Sequence, residues 1–180
     1  SFDGNGHVIS GMTIKVKEVT PFMQEKSNDR FYGLFGIIGG ATIKNLGLVN
    51  YNIDVSYTGV TEDIIIWAGA FSGEFNCPDH NKSYDAPGDM ENCYADDGKI
   101  SFNVNPAKNS EASISIEVGG LVGTASLGKT HRCYHGSDIT VKCNSPFYLA
   151  GAGIAATITH LWITECYNTG SISFPVGDAQ

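Results

Sequence analysis

The hydrophobic pattern has the period of β-strands along the chain. Segments such as KISFNV from Lys99, DITVKC from Asp138 and SISFPV from Ser171 alternate apolar and polar side chains. Such alternation over a few residues is typical of strands that bury one face. Apolar runs such as IIIWAGAF from Ile64 are equally short, and glycine, asparagine and aspartate separate them. The pattern predicts many short strands joined by tight turns, without an amphipathic helix of ordinary length.

The predicted strands recur in columns of similar residues. A glycine followed by Leu or Ala occurs four times, as Gly33-Leu34, Gly69-Ala70, Gly120-Leu121 and Gly151-Ala152. Downstream of these pairs, one column contains Leu46, Cys93, Cys133 and Cys166, and a later column contains Ile53, Ile100, Ile139 and Ile172. The intervals between columns are unequal, as in a solenoid that accepts insertions at its corners. The longest insertion, from Glu74 to Gly88, has the composition of a surface loop.

Recurring columns of short strands predict a right-handed parallel β-helix of about five coils, in which like residues stack one interstrand spacing apart. The alternative is an antiparallel β-sandwich, which does not require recurrence column by column. We expect one β-helical repeat domain over residues 1–180. The chain begins within a motif, SFDGNGH, so we expect it to be a module or fragment of a longer surface protein.

Charge and hydropathy exclude two classes of partner. The formal net charge is −8, and no basic cluster offsets it, so nucleic acid is not expected to bind. The longest apolar runs are far shorter than a bilayer-spanning helix requires, so membrane insertion is not expected either.

Two of the repeats resemble the GLUG motif of bacterial surface proteins. They are Gly-Leu-Phe-Gly at Gly33–Gly36 and Gly-Leu-Val-Gly at Gly120–Gly123, and the opening FDGNGHVISG is similar to the start of such regions. GLUG repeats occur in adhesins and in regions attached to immunoglobulin A proteases. The resemblance implies an exported, cell-surface module of adhesin or stalk type, and it implies no catalytic residue.

The resemblance leaves the partner and two other functions open. A host or neighbouring-cell protein or glycan could bind the module, and flanking domains or end-to-end self-association could cover its open ends. A polysaccharide-active β-helix enzyme, either a lyase or a glycoside hydrolase, is one alternative function. A self-assembling filament subunit is the other.

The glycine-rich segment GGLVG, residues Gly119–Gly123, is not expected to bind phosphate. A P-loop requires the pattern G-x-x-x-x-G-K-[ST] between a strand and a helix, and no such helix follows here. We interpret these glycines as small residues that let neighbouring coils lie close together. Gly120→Val is therefore expected to damage folding.

Few side chains suggest metal binding, and no cofactor is expected. Asp96, Asp97 and Asp138 precede predicted strands and are candidate calcium ligands, although Asx turns explain the same residues. On a straight strand His131, Cys133 and His135 would share one face. Leu46, the column neighbour of Cys133, has no liganding atom and argues against a metal site. The polar column neighbours of His131, such as Lys44, predict that His131 is exposed.

The five cysteines cannot all pair within one chain. Adjacent coils could bring Cys93 and Cys133, or Cys133 and Cys166, to disulfide distance, and the sequence does not decide between free and paired thiols. Cys77 lies in the insertion and is expected to be exposed. Four aromatic residues could stack on sugars but are better explained as core or end residues: Trp67, Tyr84, Tyr148 and Trp162.

Overall fold

The strands follow one another in repeating groups of five, which we call coils. The computed structural model describes residues 1–19, 28–76 and 87–175, and every regular element in these ranges is a β-strand. The first coil comprises β1 (Phe2–Asp3), β2 (Val8–Ser10), β3 (Thr13–Val19), β4 (Asp29–Tyr32) and β5 (Phe35–Ile38). The second comprises β6 (Ile43–Lys44), β7 (Gly47–Val49), β8 (Asn52–Val60), β9 (Ile64–Ala68) and β10 (Ser72–Phe75).

The later coils repeat this order, and the last one is partial. The third coil comprises β11 (Asp89–Glu91), β12 (Tyr94–Asp96), β13 (Lys99–Pro106), β14 (Ile114–Gly119) and β15 (Val122–Ser126). The fourth comprises β16 (Lys129–His131), β17 (Tyr134–His135), β18 (Asp138–Cys143), β19 (Tyr148–Ala152) and β20 (Ala155–Thr159). The described part of the fifth comprises β21 (Trp162–Thr164), β22 (Tyr167–Asn168) and β23 (Ile172–Ser173).

Each strand pairs with its counterpart in the next coil, which produces five sheets. In chain order, sheets A, B and C contain five strands each and sheets D and E contain four each, beginning at β1, β2, β3, β4 and β5. Every strand pair in the described ranges is parallel. The parallel β-helix prediction is therefore confirmed, and the alternative of an antiparallel sandwich is wrong. A right-handed path agrees with the rule for crossovers between parallel strands.

Two of the predicted columns are ladders in the interior. The isoleucine column runs in register through sheet C, and Ile14 of the first coil extends it. Leu46, Cys93 and Cys133 stack at the corner between sheets A and B and are buried. Interior ladders form because successive side chains in a strand alternate between its two faces. The register is the same from coil to coil, so inward-facing residues stack on inward-facing residues.

The predicted glycine column is wrong in the third and fourth coils. Gly33 and Gly69 are neighbours, but Gly69 is followed in the next coil by Gly119 rather than Gly120. Gly151 lies opposite Val118. Between the positions in register on either side of the D–E corner, two residues intervene in the first coil (Tyr32 to Phe35) and three in each of the next three coils. Matching Gly-Leu with Gly-Ala therefore shifts the alignment.

The register defines a different glycine column in sheet E. Gly36, Gly73 and Gly123 are neighbours in successive coils, and Ala156 continues the column. A Cβ on Gly73 would lie 2.5 Å from the carbonyl oxygen of Trp67 in sheet D. Sheet E therefore approaches the backbone of sheet D so closely that, in the second and third coils, this glycine column has no room for a side chain.

The corner between sheets A and B depends on a left-handed residue in four coils. Asn45, Asn92, Arg132 and Glu165 have φ of 53°, 52°, 52° and 55°. Asparagine adopts this conformation readily because its short polar side chain can hydrogen-bond locally. The Asn92 Nδ2 donates to Asn45 Oδ1 at 3.1 Å, which joins two coils at this corner.

The outermost described strands of each sheet complete the core only in part. Ile9, Ile14, Leu149 and Ile163 are partly buried against it, whereas their counterparts in the middle coils are fully buried. The described ranges contain no helix with the length and apolar character needed to cross a membrane.

Candidate functional site

A polar cluster lies in and beside the interior at the corner between sheets B and C. We call it the B–C cluster, and it consists of Tyr51, Asp96, His135, Ser137 and Asn168. Tyr51, His135 and Ser137 are buried. The cluster has members in the second, third, fourth and fifth coils, and it brings polar side chains into the apolar core.

Small residues in the intervening coil make this contact possible. Tyr51 belongs to the second coil and His135 to the fourth, and Ala95 and Gly98 lie between them in the third. A Cβ on Gly98 would overlap the ring of Tyr51, so the tyrosine crosses the third coil over a residue that has no side chain. Gly120 leaves room for the imidazole of His135 in the same way.

The hydrogen bonds of the cluster are satisfied by a neutral imidazole. Asn168 Nδ2 donates to the Gly170 carbonyl at 2.8 Å, so its Oδ1 faces His135 Nδ1 at 2.8 Å and accepts from it. His135 Nε2 then accepts from the hydroxyl of Tyr51 at 3.0 Å. Both ring nitrogens are therefore satisfied in the Nδ1–H tautomer.

Burial sets the protonation states of these groups. Desolvation lowers the pKa of His135, because the charged imidazolium is costly in a dry interior, although Asn168, Asp96 and Asp138 partly oppose this. Desolvation raises the pKa of Tyr51 to about 12. At neutral pH the imidazole and the phenol are both uncharged, which suits a core contact.

The three calcium candidates lie near the same corner but in two coils. Asp97 has a φ of 49°, and its N–H donates to Asp96 Oδ1 at 2.9 Å, which is a local turn contact. Asp138 accepts from the N–H and hydroxyl of Ser171 at 3.1 and 2.6 Å, and these bonds lower its pKa. No group of three or more His, Cys, Asp or Glu in the described ranges is arranged to hold a metal ion. Calcium binding by these aspartates stays a prediction.

The histidines that flank Cys133 belong to different sheets. Arg132 has a φ of 52° and bends the chain, so His131 ends β16 in sheet A and His135 ends β17 in sheet B. His131 is half-buried rather than exposed, and its Nδ1 lies 2.8 Å from the hydroxyl of Thr164. The straight strand that would place the three side chains on one face does not exist.

The ladder cysteines are free thiols. Cys93 and Cys133 are buried, whereas Cys166 and Cys143 are partly exposed. Cys77, Tyr84 and most of the Glu74–Gly88 insertion lie outside the described residues.

Aromatic side chains form two kinds of surface. Tyr94, Tyr134 and Tyr167 stack along sheet B with ring centroids 5.0 and 5.1 Å apart and planes within 3°. Trp67 stacks on Phe31 at 5.1 Å and is half-buried, as expected of a residue that is packed against the fold. Tyr148 and Trp162 lie at the open edge of the last coils, and Trp162 is 73% exposed.

Sequence reasoning misses three members of the B–C cluster. Tyr51 occupies no recurring polar column, and neither Ser137 nor Asn168 repeats the residue type of its neighbours in the adjacent coil. The tyrosine stack could have been found, because Tyr94, Tyr134 and Tyr167 each follow a ladder cysteine.

Comparison with protein-family models, with curated proteins and with solved structures finds no match to this chain.

Proposed function

We propose that this chain is a non-catalytic module of a cell-surface protein, of the stalk or adhesin type, displayed outside the cell. The observation that carries the proposal is that both ring nitrogens of His135 in the B–C cluster already have hydrogen-bond partners within the protein. His135, the side chain best suited to acid–base chemistry, donates to Asn168 and accepts from Tyr51 inside the core. Its hydrogen bonds join three coils of the solenoid rather than leaving a nitrogen for a substrate.

The GLUG-like repeats support the surface location within this proposal. They resemble repeats of bacterial adhesins and protease-associated regions, and a rigid solenoid is suited to hold a binding region away from a cell. Recognition of a host or neighbouring-cell protein or glycan would then use the outer sheets or the Glu74–Gly88 insertion, because loops on a rigid scaffold commonly bind partners.

A screen for glycan cleavage tests the non-catalytic part of the proposal. The full chain would be incubated with a panel of acidic and neutral polysaccharides, once with calcium and once with a chelator, while new reducing ends and unsaturated sugars are measured. We expect no turnover in either condition. Turnover that is lost in Asp96→Asn or Asp138→Asn, with an unchanged melting temperature, would contradict the proposal and favour the enzyme alternative.

The open edge of the last coils supports association through the ends of the solenoid. Exposed apolar side chains concentrate there: Tyr148, Ile158, Trp162, Tyr167, Ile172 and Phe174. Strands β19–β23 are each the last of their sheet in the described ranges, so their backbone groups can pair with a further coil. A flanking domain or a second copy would satisfy both features.

Sedimentation velocity distinguishes association through this edge from a free end. We expect the wild-type chain to associate as its concentration rises, and Trp162→Lys with Ile172→Lys to reduce this association. Ile65→Lys, on the half-buried face of sheet D, is the matched control for an added charge away from the edge. Equal association of all three proteins would rule out the C-terminal edge as the contact, and electron microscopy would show whether any association continues into filaments.

A further inference from the structure

The three ladder cysteines form a continuous line of thiols at the corner between sheets A and B. The N–H of Cys93 donates to Cys133 Sγ, and the N–H of Cys133 donates to Cys166 Sγ, each at 3.4 Å. Each sulfur also lies 3.2–3.3 Å from the carbonyl oxygen two residues earlier, so all three have the same local geometry. The thiols therefore occupy equivalent positions in successive coils.

Adjacent members of the ladder meet the backbone requirement for a disulfide. Neighbouring parallel strands lie about 4.8 Å apart, and disulfides join Cα atoms about 4.4–6.8 Å apart. Both the Cys93–Cys133 and the Cys133–Cys166 pairs satisfy this spacing. A closing movement is easier for the second pair, because Cys166 belongs to the last described coil and has fewer neighbours to displace.

Access from solvent also separates the two pairs. Cys93 and Cys133 are buried, so an oxidant cannot reach either sulfur without opening the fold. Cys166 is partly exposed, and no described strand lies beyond the coil that contains it. A soluble reagent therefore meets Cys166 first.

The neighbouring thiol also activates Cys166. The neighbouring Cys133 side chain, together with the Cys133 N–H that donates to Cys166 Sγ at 3.4 Å, lowers the pKa of Cys166 to about 7. The neighbours Cys166 and Cys93, together with burial, raise the pKa of Cys133. The lowered pKa favours the thiolate form of Cys166. The less buried Cys166 pays a smaller desolvation penalty for that charge.

We propose that Cys166 and Cys133 form a thiol–disulfide exchange site that reacts with low-molecular-weight disulfides. The Cys166 thiolate attacks one sulfur of the reagent, forms a mixed disulfide and releases a thiolate. The Cys133 thiol loses its proton to solvent or to a released thiolate and attacks the Cys166 sulfur. The second half of the reagent then leaves, so two protein thiols are oxidised to one disulfide while one reagent disulfide is reduced to two thiols.

The product would tie the fifth coil to the fourth. A disulfide here closes a loop that contains β17–β21, which restricts the unfolded chain and holds the edge strands in register. The site is independent of the cell-surface proposal, although oxidising extracellular conditions would let the bond persist.

Oxidised glutathione tests this site in the full chain. In a Cys77→Ser/Cys143→Ser background, which retains all three ladder thiols, intact mass and peptide mapping would follow the products. We expect loss of two hydrogens and a Cys133–Cys166 cross-link, with little mixed disulfide at the end point. A stable glutathione adduct on Cys166, or a cross-link between Cys93 and Cys133, would overturn the proposal.

Two single variants in the same background separate the roles of the thiols. Cys133→Ser should stop the reaction at a mixed disulfide on Cys166, and Cys166→Ser should reduce the initial rate at the ladder at least tenfold. Equal reactivity of the Cys166→Ser variant would overturn the assignment of Cys166 as the entry thiol. Circular dichroism of each variant shows that it is folded, and should Cys133→Ser unfold, the mapping of the parent protein alone still decides the proposal.

Discussion

At the residue scale, His135 shows how a buried polar residue is accommodated in a core built from ladders. Its column contains Ile9, Leu48, Ala95 and Asn168, so an imidazole replaces an apolar side chain in one coil. The cost of burying it is offset by hydrogen bonds to Tyr51 and Asn168. A neutral histidine satisfies this arrangement, whereas a charged one disturbs it.

Stability should therefore fall on mild acidification. The folded pKa of His135 is depressed, so the unfolded chain binds more protons as the pH drops below about 6.5, and stability present above that value is lost toward the folded pKa. Urea denaturation at a series of pH values from 7 to 5 should show that the free energy of unfolding decreases by up to about 1.4 kcal/mol per pH unit.

The His135→Gln variant is the control for this pH dependence. Glutamine can donate and accept in the same cluster but does not titrate, so its stability should change less over this range. Carboxylates titrate mostly below this range, and the Cys166 thiol, with a pKa of about 7, affects stability mainly above it. An identical slope in both proteins would show that His135 is not the group responsible.

Gly120 gives a second test at this scale. A Cβ at this position would lie well under 3.0 Å from the Gly153 carbonyl oxygen and from the His135 ring, and neither can retreat within the stack. We expect Gly120→Val to lower the free energy of unfolding by about 3 kcal/mol, near the upper end for overpacked cores. Chemical denaturation measures this loss, and an unchanged midpoint would refute the packing role.

At the scale of elements, corners and columns explain which features the sequence predicts. The cysteine and isoleucine ladders were predictable because each column repeats one type of side chain. The glycine column was misplaced by one residue, because the first coil has a shorter D–E corner and Gly-Leu resembles Gly-Ala. The left-handed corner escaped detection because Arg132 and Glu165 are not turn-forming residue types, and only the stacked backbone shows that they follow Asn45 and Asn92.

The glycine column of sheet E, which contains Gly36 and Gly123, predicts opposite effects of Gly→Ala at these two positions. Gly123→Ala places a Cβ 2.6 Å from the Ala68 nitrogen and should cost about 1–3 kcal/mol. In Gly36→Ala the nearest atoms are 3.8 Å away, so this variant should be neutral or stabilise by up to about 1 kcal/mol through the unfolded state. Thermal melts of both variants measure the contrast, and equal effects would mean that close approach of sheets D and E does not decide this column.

At the scale of the whole molecule, each coil is stabilised mainly by the coils on either side. The middle coils have two neighbours and bury their side chains fully, whereas the first and last described coils have one neighbour each. Such a solenoid behaves as a one-dimensional stack whose stability is lowest at its ends. Long-range contacts such as that between Tyr51 and His135 make stability more even along the stack, because they join coils that are not adjacent.

Hydrogen exchange should reveal the gradient along the stack. We expect the slowest amide exchange in β8 and β13, and faster exchange in β21–β23, where the edge is open. The Tyr51→Phe variant, which loses the hydroxyl bonded to His135, should accelerate exchange in β17 and β22 more than in β3. Uniform exchange across all coils would instead indicate a single cooperative unit.

The stacked tyrosines provide an ultraviolet signal that reports on the assembly of the last coils. Parallel rings about 5 Å apart couple their electronic transitions, so Tyr94, Tyr134 and Tyr167 share one near-ultraviolet signal that separate rings would not give. This signal depends on the third, fourth and fifth coils and hardly on the first two. The protein thus contains an optical reporter of its own, with which peeling of the terminal coil can be followed without a label.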